Sequence, residues 1–212
     1  MSGDGTPVIA SRRPLASRST RWARFLTDVL LRAGASPNAI SVASVAFAAL
    51  GAWLLAFQAR GITFLAAAVC IQLRLLCNLL DGMVAVEGQR GSAVGSLYNE
   101  VPDRVADSLL IIALGYAVDR AWLGWLGALA AALTAYIRVL GGSLGLAQDF
   151  RGPMAKQQRM AVLTVACVLA AVETPLRGSR WALTAAAWII ALGALLTCAT
   201  RLRAIARALR AR

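Results

Sequence analysis

The chain has 212 residues, 59% of them hydrophobic, with a formal net charge of +12 and a mean hydropathy of +0.66. A soluble domain is about 45–50% apolar and spreads those residues at short period; here they form long unbroken runs, which excludes a separate soluble catalytic domain. The absence of histidine removes Ser-His nucleophiles, His general bases and His-ligated zinc, so acid–base work falls to carboxylates, Lys156 or tyrosine.

The positive charge is carried by arginine, with Lys156 the sole lysine. Most arginines flank apolar runs and none sits in a basic stretch interleaved with aromatics. That points to positive-inside flanks touching anionic lipid, and not to nucleic acid. Cys70, Cys77, Cys167 and Cys198 lie inside apolar runs without Cys-x-x-Cys spacing. They are read as small buried residues and not as a disulfide or zinc set.

In chain order, residues 1–18 contain Gly, Ser and Arg without periodicity and are predicted to be a disordered basic N-terminus. No apolar core lies near the start, so no signal peptide is expected. Over residues 19–33, Trp22, Phe25, Leu26, Val29 and Leu30 recur at helical spacing with Arg21, Arg24 and Asp28 between them. This is an amphipathic interfacial helix, and the pattern leaves open whether it lies on the membrane or packs on the protein's own surface. Ser36-Pro37-Asn38 then starts the first of six predicted transmembrane helices, near 38–57, 62–85, 95–118, 122–142, 157–173 and 181–201.

These six helices make an all-α integral membrane bundle over residues 36–202, followed by a basic cytoplasmic tail, 203–212. An even span count puts both termini on one side. Six arginines before residue 33, and Arg201, Arg203, Arg207, Arg210 and Arg212 at the other end, assign that side to the cytoplasm of an inner membrane. The loops at 86–94 and 143–156 then face the cytoplasm as well. The short connections near Arg60, Asp119-Arg120 and Arg177–Arg180 face outward.

Five of the ten acids, Asp81, Glu87, Glu100, Asp103 and Asp107, fall between residues 81 and 107, at the end of span 2 and the start of span 3. Acids at membrane depth are costly and usually functional. Asn78, Asp81, Gly82 and Ala85 share one face of span 2, and Gly95, Asn99, Asp103 and Asp107 step by four along span 3. As antiparallel neighbours, the two helices would bring these oxygen-bearing faces together near the cytoplasmic surface. Oxygen donors without His or Cys suit Mg²⁺ or Mn²⁺, and the small residues Gly82, Ala85 and Gly95 leave room for a ligand. Structural salt bridges to Arg74, Arg90 and Arg104 are the competing reading; it is preferred for Asp107, expected to neutralise Arg74 across the helix pair.

The stretch from Asn78 through Asp81-Gly82 and Ala85 to Gly95, Asn99 and Asp103 resembles the CDP-alcohol phosphotransferase signature, Asp-x-x-Asp-Gly-x-x-Ala-Arg followed after eight residues by Gly-x-x-x-Asp-x-x-x-Asp. The Ser-Pro-Asn entry and the six-helix layout also look like that family. The resemblance implies a membrane enzyme of phospholipid biosynthesis that takes a CDP-alcohol such as CDP-diacylglycerol (CDP-DAG), transfers its phosphatidyl group to a small alcohol acceptor and releases CMP. It implies metal ligands at Asn78, Asp81, Asn99 and Asp103, a base at Asp103, and a pocket for the CDP moiety at Asp81, Gly82, Ala85 and Gly95. It also implies membrane-lipid partners and a homodimer.

Three positions depart from the signature: Asn78 and Asn99 replace aspartates and Val86 replaces arginine. An amide oxygen still ligates a hard cation, but two negative charges are lost; Glu87 and Glu100 stand beside the altered positions as possible replacements. One metal or two is left open, and so is a degenerate member that keeps the fold to bind lipid or a partner. Arg138, Lys156 and Arg159 are candidate clamps for an acceptor phosphate, pointing to an acceptor such as glycerol 3-phosphate or inositol phosphate. Polar residues gather at one end of the spans and not at the midplane, which argues against a transporter.

Overall fold

The computed structural model describes residues 20–57, 61–89 and 94–211. The expected disordered segment 1–18, and Arg60 and Arg90, lie outside the described residues. Among the described residues the regular elements are all helices: α1 (Arg21–Arg32), α2 (Pro37–Phe57), α3 (Gly61–Glu87), α4 (Gly95–Ala117), α5 (Ala121–Ser143), α6 (Lys156–Arg177) and α7 (Trp181–Arg210).

Five of them, α2, α3, α5, α6 and α7, are long and apolar enough to cross a membrane. α4 is not among them, because Glu100, Asp103, Arg104 and Asp107 crowd its first half; the expected six apolar spans are five plus this acidic helix. The largest boundary difference is at α7, which runs nine residues past the end of its apolar stretch at 201. Leu202, Ile205 and Leu209 continue a helical pattern among the arginines. At 1.5 Å per residue this helix is about 45 Å long, against a hydrocarbon core of about 30 Å, so its last turns project beyond the apolar layer.

α2 packs along both α3 and α4; α5 packs on α4 and α7, and α6 on α3 and α7. α3 and α4 were expected to lie side by side, but α2 is packed along each of them and their own approach is sparse. They meet chiefly through side chains near one end. The interior is built of Ala, Leu and Ile, with Ala48, Leu55, Phe64, Leu110, Leu114, Leu163, Leu183 and Ile190 fully buried. Between α4 and α5 the approach is set by glycine: a Cβ on Gly115 would stand 2.6 Å from the Gly124 Cα. Small residues of this kind let membrane helices come close enough to gain dispersion contact.

The outer surface is apolar, with Leu50, Val69, Leu129, Val165, Leu169 and Leu192 exposed. Water does not tolerate so large a patch, and lipid does. Trp53 and Phe57 close α2, Tyr116 closes α4, and Trp122, Trp125 and Trp181 open α5 and α7, all exposed. Helix direction puts these aromatics at one end of the bundle, where they form an interfacial belt. At the same end Glu173 accepts the backbone N–H groups of Trp181 (2.7 Å) and Ala182 (3.0 Å), capping α7 from the end of α6.

At the other end, α1 packs on the protein's own surface, one of the two readings its sequence left open. Ala23 packs with Leu79 and Met83 of α3, while Leu26, Leu30 and Leu31 cover Ile40, Leu80 and Val84. Trp22, Phe25 and Val29 remain exposed. The four cysteines are free; Cys70, Cys167 and Cys198 are buried, as read from their apolar setting.

Candidate active site

The acids converge where α2, α3, α4 and the start of α6 meet. Asp81 is 3% exposed and Asp103 7%, both far below ordinary carboxylates. Asp81 Oδ2 accepts a hydrogen bond from the Ser41 hydroxyl of α2 at 2.6 Å. Its Oδ1 is buried without a hydrogen-bond partner, and a buried anionic oxygen in that condition is costly unless something positive binds there.

Asp103 is the opposite case. Its Oδ1 accepts from Asn78 Nδ2 at 2.5 Å and from Arg74 at 3.4 Å. Its Oδ2 accepts from the Lys156 ammonium, with Arg104 at 3.7 Å. Asn78 is oriented by both neighbours: a carboxylate oxygen can only accept, so the amide nitrogen faces Asp103, while Oδ1 accepts from the Ser44 hydroxyl at 3.0 Å.

One turn deeper, Asp107 is shared between two arginines. Arg74 reaches its Oδ1 at 2.6 Å and Arg159 its Oδ2 at 2.9 Å. The Arg74–Asp107 pair is the one expected from the sequence. Arg159 is buried, and also donates to the Met154 carbonyl at 2.8 Å. It is thus held inside the bundle by Asp107 and not presented at a surface.

The remaining candidates are distributed around this centre. Gly82 is buried and Ala85 and Gly95 half-buried beside it, whereas Asn99, Val86 and Glu87 are exposed. Glu100, a possible replacement charge, pairs instead with Arg138 at 2.7 Å, and Arg138 also lies over the Phe150 ring at 5.3 Å. Ser41 and Ser44 were missed in the sequence, since serines in an apolar helix carry no signal without knowledge of what α2 faces. Arg201 was missed as well: it donates to the carbonyls of Arg151 (2.8 Å) and Thr134 (2.6 Å), tying the loop after α5 to α7.

That loop is also fixed at Gly152, whose φ of 131° and close approach to Thr197 admit no side chain. Within it Arg151 donates two side-chain hydrogen bonds to Asp149 and holds that carboxyl below its usual range. A cavity of about 190 Å³ opens here, lined by Arg138, Asp149, Arg151 and Arg201 among others. Neither Asp81 nor Asp103 lines it.

A donor set of oxygen atoms suits a hard divalent cation, and the unpartnered Asp81 Oδ1 is an oxygen such a cation would complete. Among the described residues no three acids, cysteines or histidines gather as a ligand cluster, so any further ligands must come from amides, water or substrate.

The phosphatidylinositol phosphate synthase of Streptomyces avermitilis is 30% identical to this chain, over 95% of it and 86% of the relative. The chain belongs to the CDP-alcohol phosphotransferase family. It is accordingly an integral membrane enzyme, a CDP-alcohol phosphatidyltransferase. The archaetidylinositol phosphate synthase of Aeropyrum pernix is similar too, 32% identical over 70% of this chain and 75% of its own. No family model matches the sequence. Among solved structures, the phosphatidylinositol phosphate synthase of Mycobacterium tuberculosis with CDP-DAG bound superposes at a TM-score of 0.75, covering 88% of this chain and 94% of that one at 21% identity. The same protein in complex with manganese and citrate gives 0.73. These likenesses establish the phosphotransferase's helical fold.

Proposed function

We propose that this phosphotransferase transfers the phosphatidyl group of CDP-DAG to a hydroxyl of an inositol phosphate, releasing CMP, with Mg²⁺ or Mn²⁺ as cofactor. The observation that carries the reading is the buried pair of carboxylates with unequal partners: Asp81 keeps a free oxygen, and Asp103 sits against Lys156. The names of the relatives point to inositol phosphate as acceptor and give no support to glycerol 3-phosphate.

The roles follow from position. Gly82, Ala85 and Gly95, with little or no side chain, make room for the CDP moiety beside Asp81. Asp81 would hold the cation, which would supply neutralising charge to the diphosphate and the leaving CMP. The acceptor hydroxyl oxygen forms a bond to the lipid-side phosphorus, the P–O bond to CMP breaks, and the hydroxyl proton passes to Asp103. A carboxylate offers about four lone-pair positions; Asn78, Arg74 and Lys156 take three of those on Asp103, leaving one on Oδ2 for the hydroxyl. Lys156, paired with Asp103, and Arg138, which lines the cavity together with Arg151 and Arg201, are the cations offered to an acceptor phosphate. Arg159 acts through Asp107, keeping the base in place from beneath. The arginine bias puts this end, and both termini, in the cytoplasm, and the family likeness supports a homodimer.

The test is CMP release from CDP-DAG in liposomes with Mn²⁺, comparing inositol phosphate, glycerol 3-phosphate, inositol and serine. CMP that depends on inositol phosphate and is lost in Asp103→Asn and with chelator is expected. No CMP from folded protein with any acceptor would move the chain to the silent, lipid-binding alternative. Cross-linking in native membranes tests the dimer.

A further inference from the structure

Resting on the transferase reading above, we propose that this site takes a single divalent cation, at Asp81, and that the Lys156 ammonium together with the Asn78 amide fills the place of a second cation at Asp103.

Three observations combine. Asn78 Nδ2 lies 2.5 Å from Asp103 Oδ1. An aspartate at 78 would set two carboxylate oxygens at that distance, which is stable only with a proton or a cation shared between them; the amide supplies its own N–H there, and no cation is needed. The Asp103 Oδ2 oxygen is similarly occupied, by the only lysine of the chain, reaching across from the first residue of α6. And Asn99, the other position at which the signature places an acid, is exposed and adds no charge to the cluster. Donors from this chain's own residues thus occupy both oxygens of Asp103, while among the described residues Asp81 Oδ1 is the carboxylate oxygen left buried without a hydrogen-bond partner.

The charge count agrees. Asp81, Asp103 and Asp107 face Arg74, Lys156 and Arg159, with Arg104 at the rim. The cluster is therefore close to neutral before any ion arrives. Two divalent ions would add four charges at low dielectric without new anions to meet them, and one adds two, matched by the donor's diphosphate. A hard cation held by one or two carboxylates, with water and substrate phosphate completing its shell, is an ordinary arrangement for Mg²⁺.

The test is Mn²⁺ binding to the metal-stripped protein in detergent, read from the free-ion electron paramagnetic resonance signal. The unmodified chain is expected to bind one Mn²⁺, and Asp81→Asn to lose it. The double variant Asn78→Asp, Lys156→Met, which removes the ammonium and restores an acid, is expected to bind a second. Lys156→Met by itself removes a neighbouring positive charge and should tighten the remaining ion roughly tenfold or more. Size-exclusion elution and thermal unfolding identify any variant that fails to fold, and the count on the unmodified chain needs none. Two ions on the unmodified chain, retention by Asp81→Asn, or a double variant that stays at one would overturn the proposal. Two ions with CMP release intact would sink the one-ion site and leave the transferase standing; one ion with no CMP release would do the reverse.

Discussion

Among the described residues Asp107 is the sole acid bonded to both Arg74 and Arg159, which are 0% and 1% exposed. Asp107→Asn keeps the side chain's shape and removes its charge, leaving two buried guanidinium groups to share what is left. Breaking a buried ion pair from one side costs about 3–5 kcal/mol. Here each arginine retains a weaker partner: Arg74 keeps Asp103 at 3.4 Å, and Arg159 keeps the Met154 carbonyl at 2.8 Å. The loss should therefore fall at the lower end, about 3 kcal/mol. For a chain of this size that corresponds to a fall in melting temperature of roughly 6–12 °C. The assay is tryptophan fluorescence during heating in detergent micelles. The triple replacement Arg74→Met, Asp107→Leu, Arg159→Met removes the whole network and should recover most of the loss, because well-packed apolar groups replace a buried network at little cost. A single variant within about 2 °C of the parent, or a triple variant less stable than the single, would refute the reasoning.

Three further outcomes are expected. Ser41→Ala takes the hydroxyl hydrogen bond from the buried Asp81 Oδ2; a loss of about 1–3 kcal/mol is expected in the same unfolding assay. Gly152→Ala places a Cβ 2.4 Å from the Thr197 Cγ2 at a φ of 131°, so the loop should detach from α7, visible as faster proteolysis between α5 and α6. Glu173→Ala uncaps α7 at three donors, the N–H groups of Trp181 and Ala182 and the Ser179 hydroxyl; a cost of about 0.5–2 kcal/mol is expected, with CMP release unchanged because the site lies at the opposite end.

Helix positions were legible in the sequence because hydrophobic period and run length are local properties: α1 to α6 fall within a few residues of their expected bounds. The faces carrying Asn78 with Asp81 and Asn99 with Asp103 were legible for the same reason, since helical spacing fixes which residues share a side. Even the Arg74–Asp107 pair could be found, because both residues lie one turn below their neighbours on adjacent helices. The extent of α7 was less legible, since arginines end an apolar run without ending a helix.

Partner choice is another matter. Nothing in a local pattern says that Ser41 and Ser44 face the acids, that Asp107 serves Arg159 as well as Arg74, or that Lys156 reaches Asp103 from 53 residues away. Those contacts depend on α2 packing along both α3 and α4 and on α6 settling against α3, which the interdigitation of many side chains decides together. The consequence reaches the chemistry. In the sequence Asn78 is an aspartate lost; in the folded chain its amide donates to Asp103, because packing brings the two within 2.5 Å, where two carboxylates would repel and an amide binds.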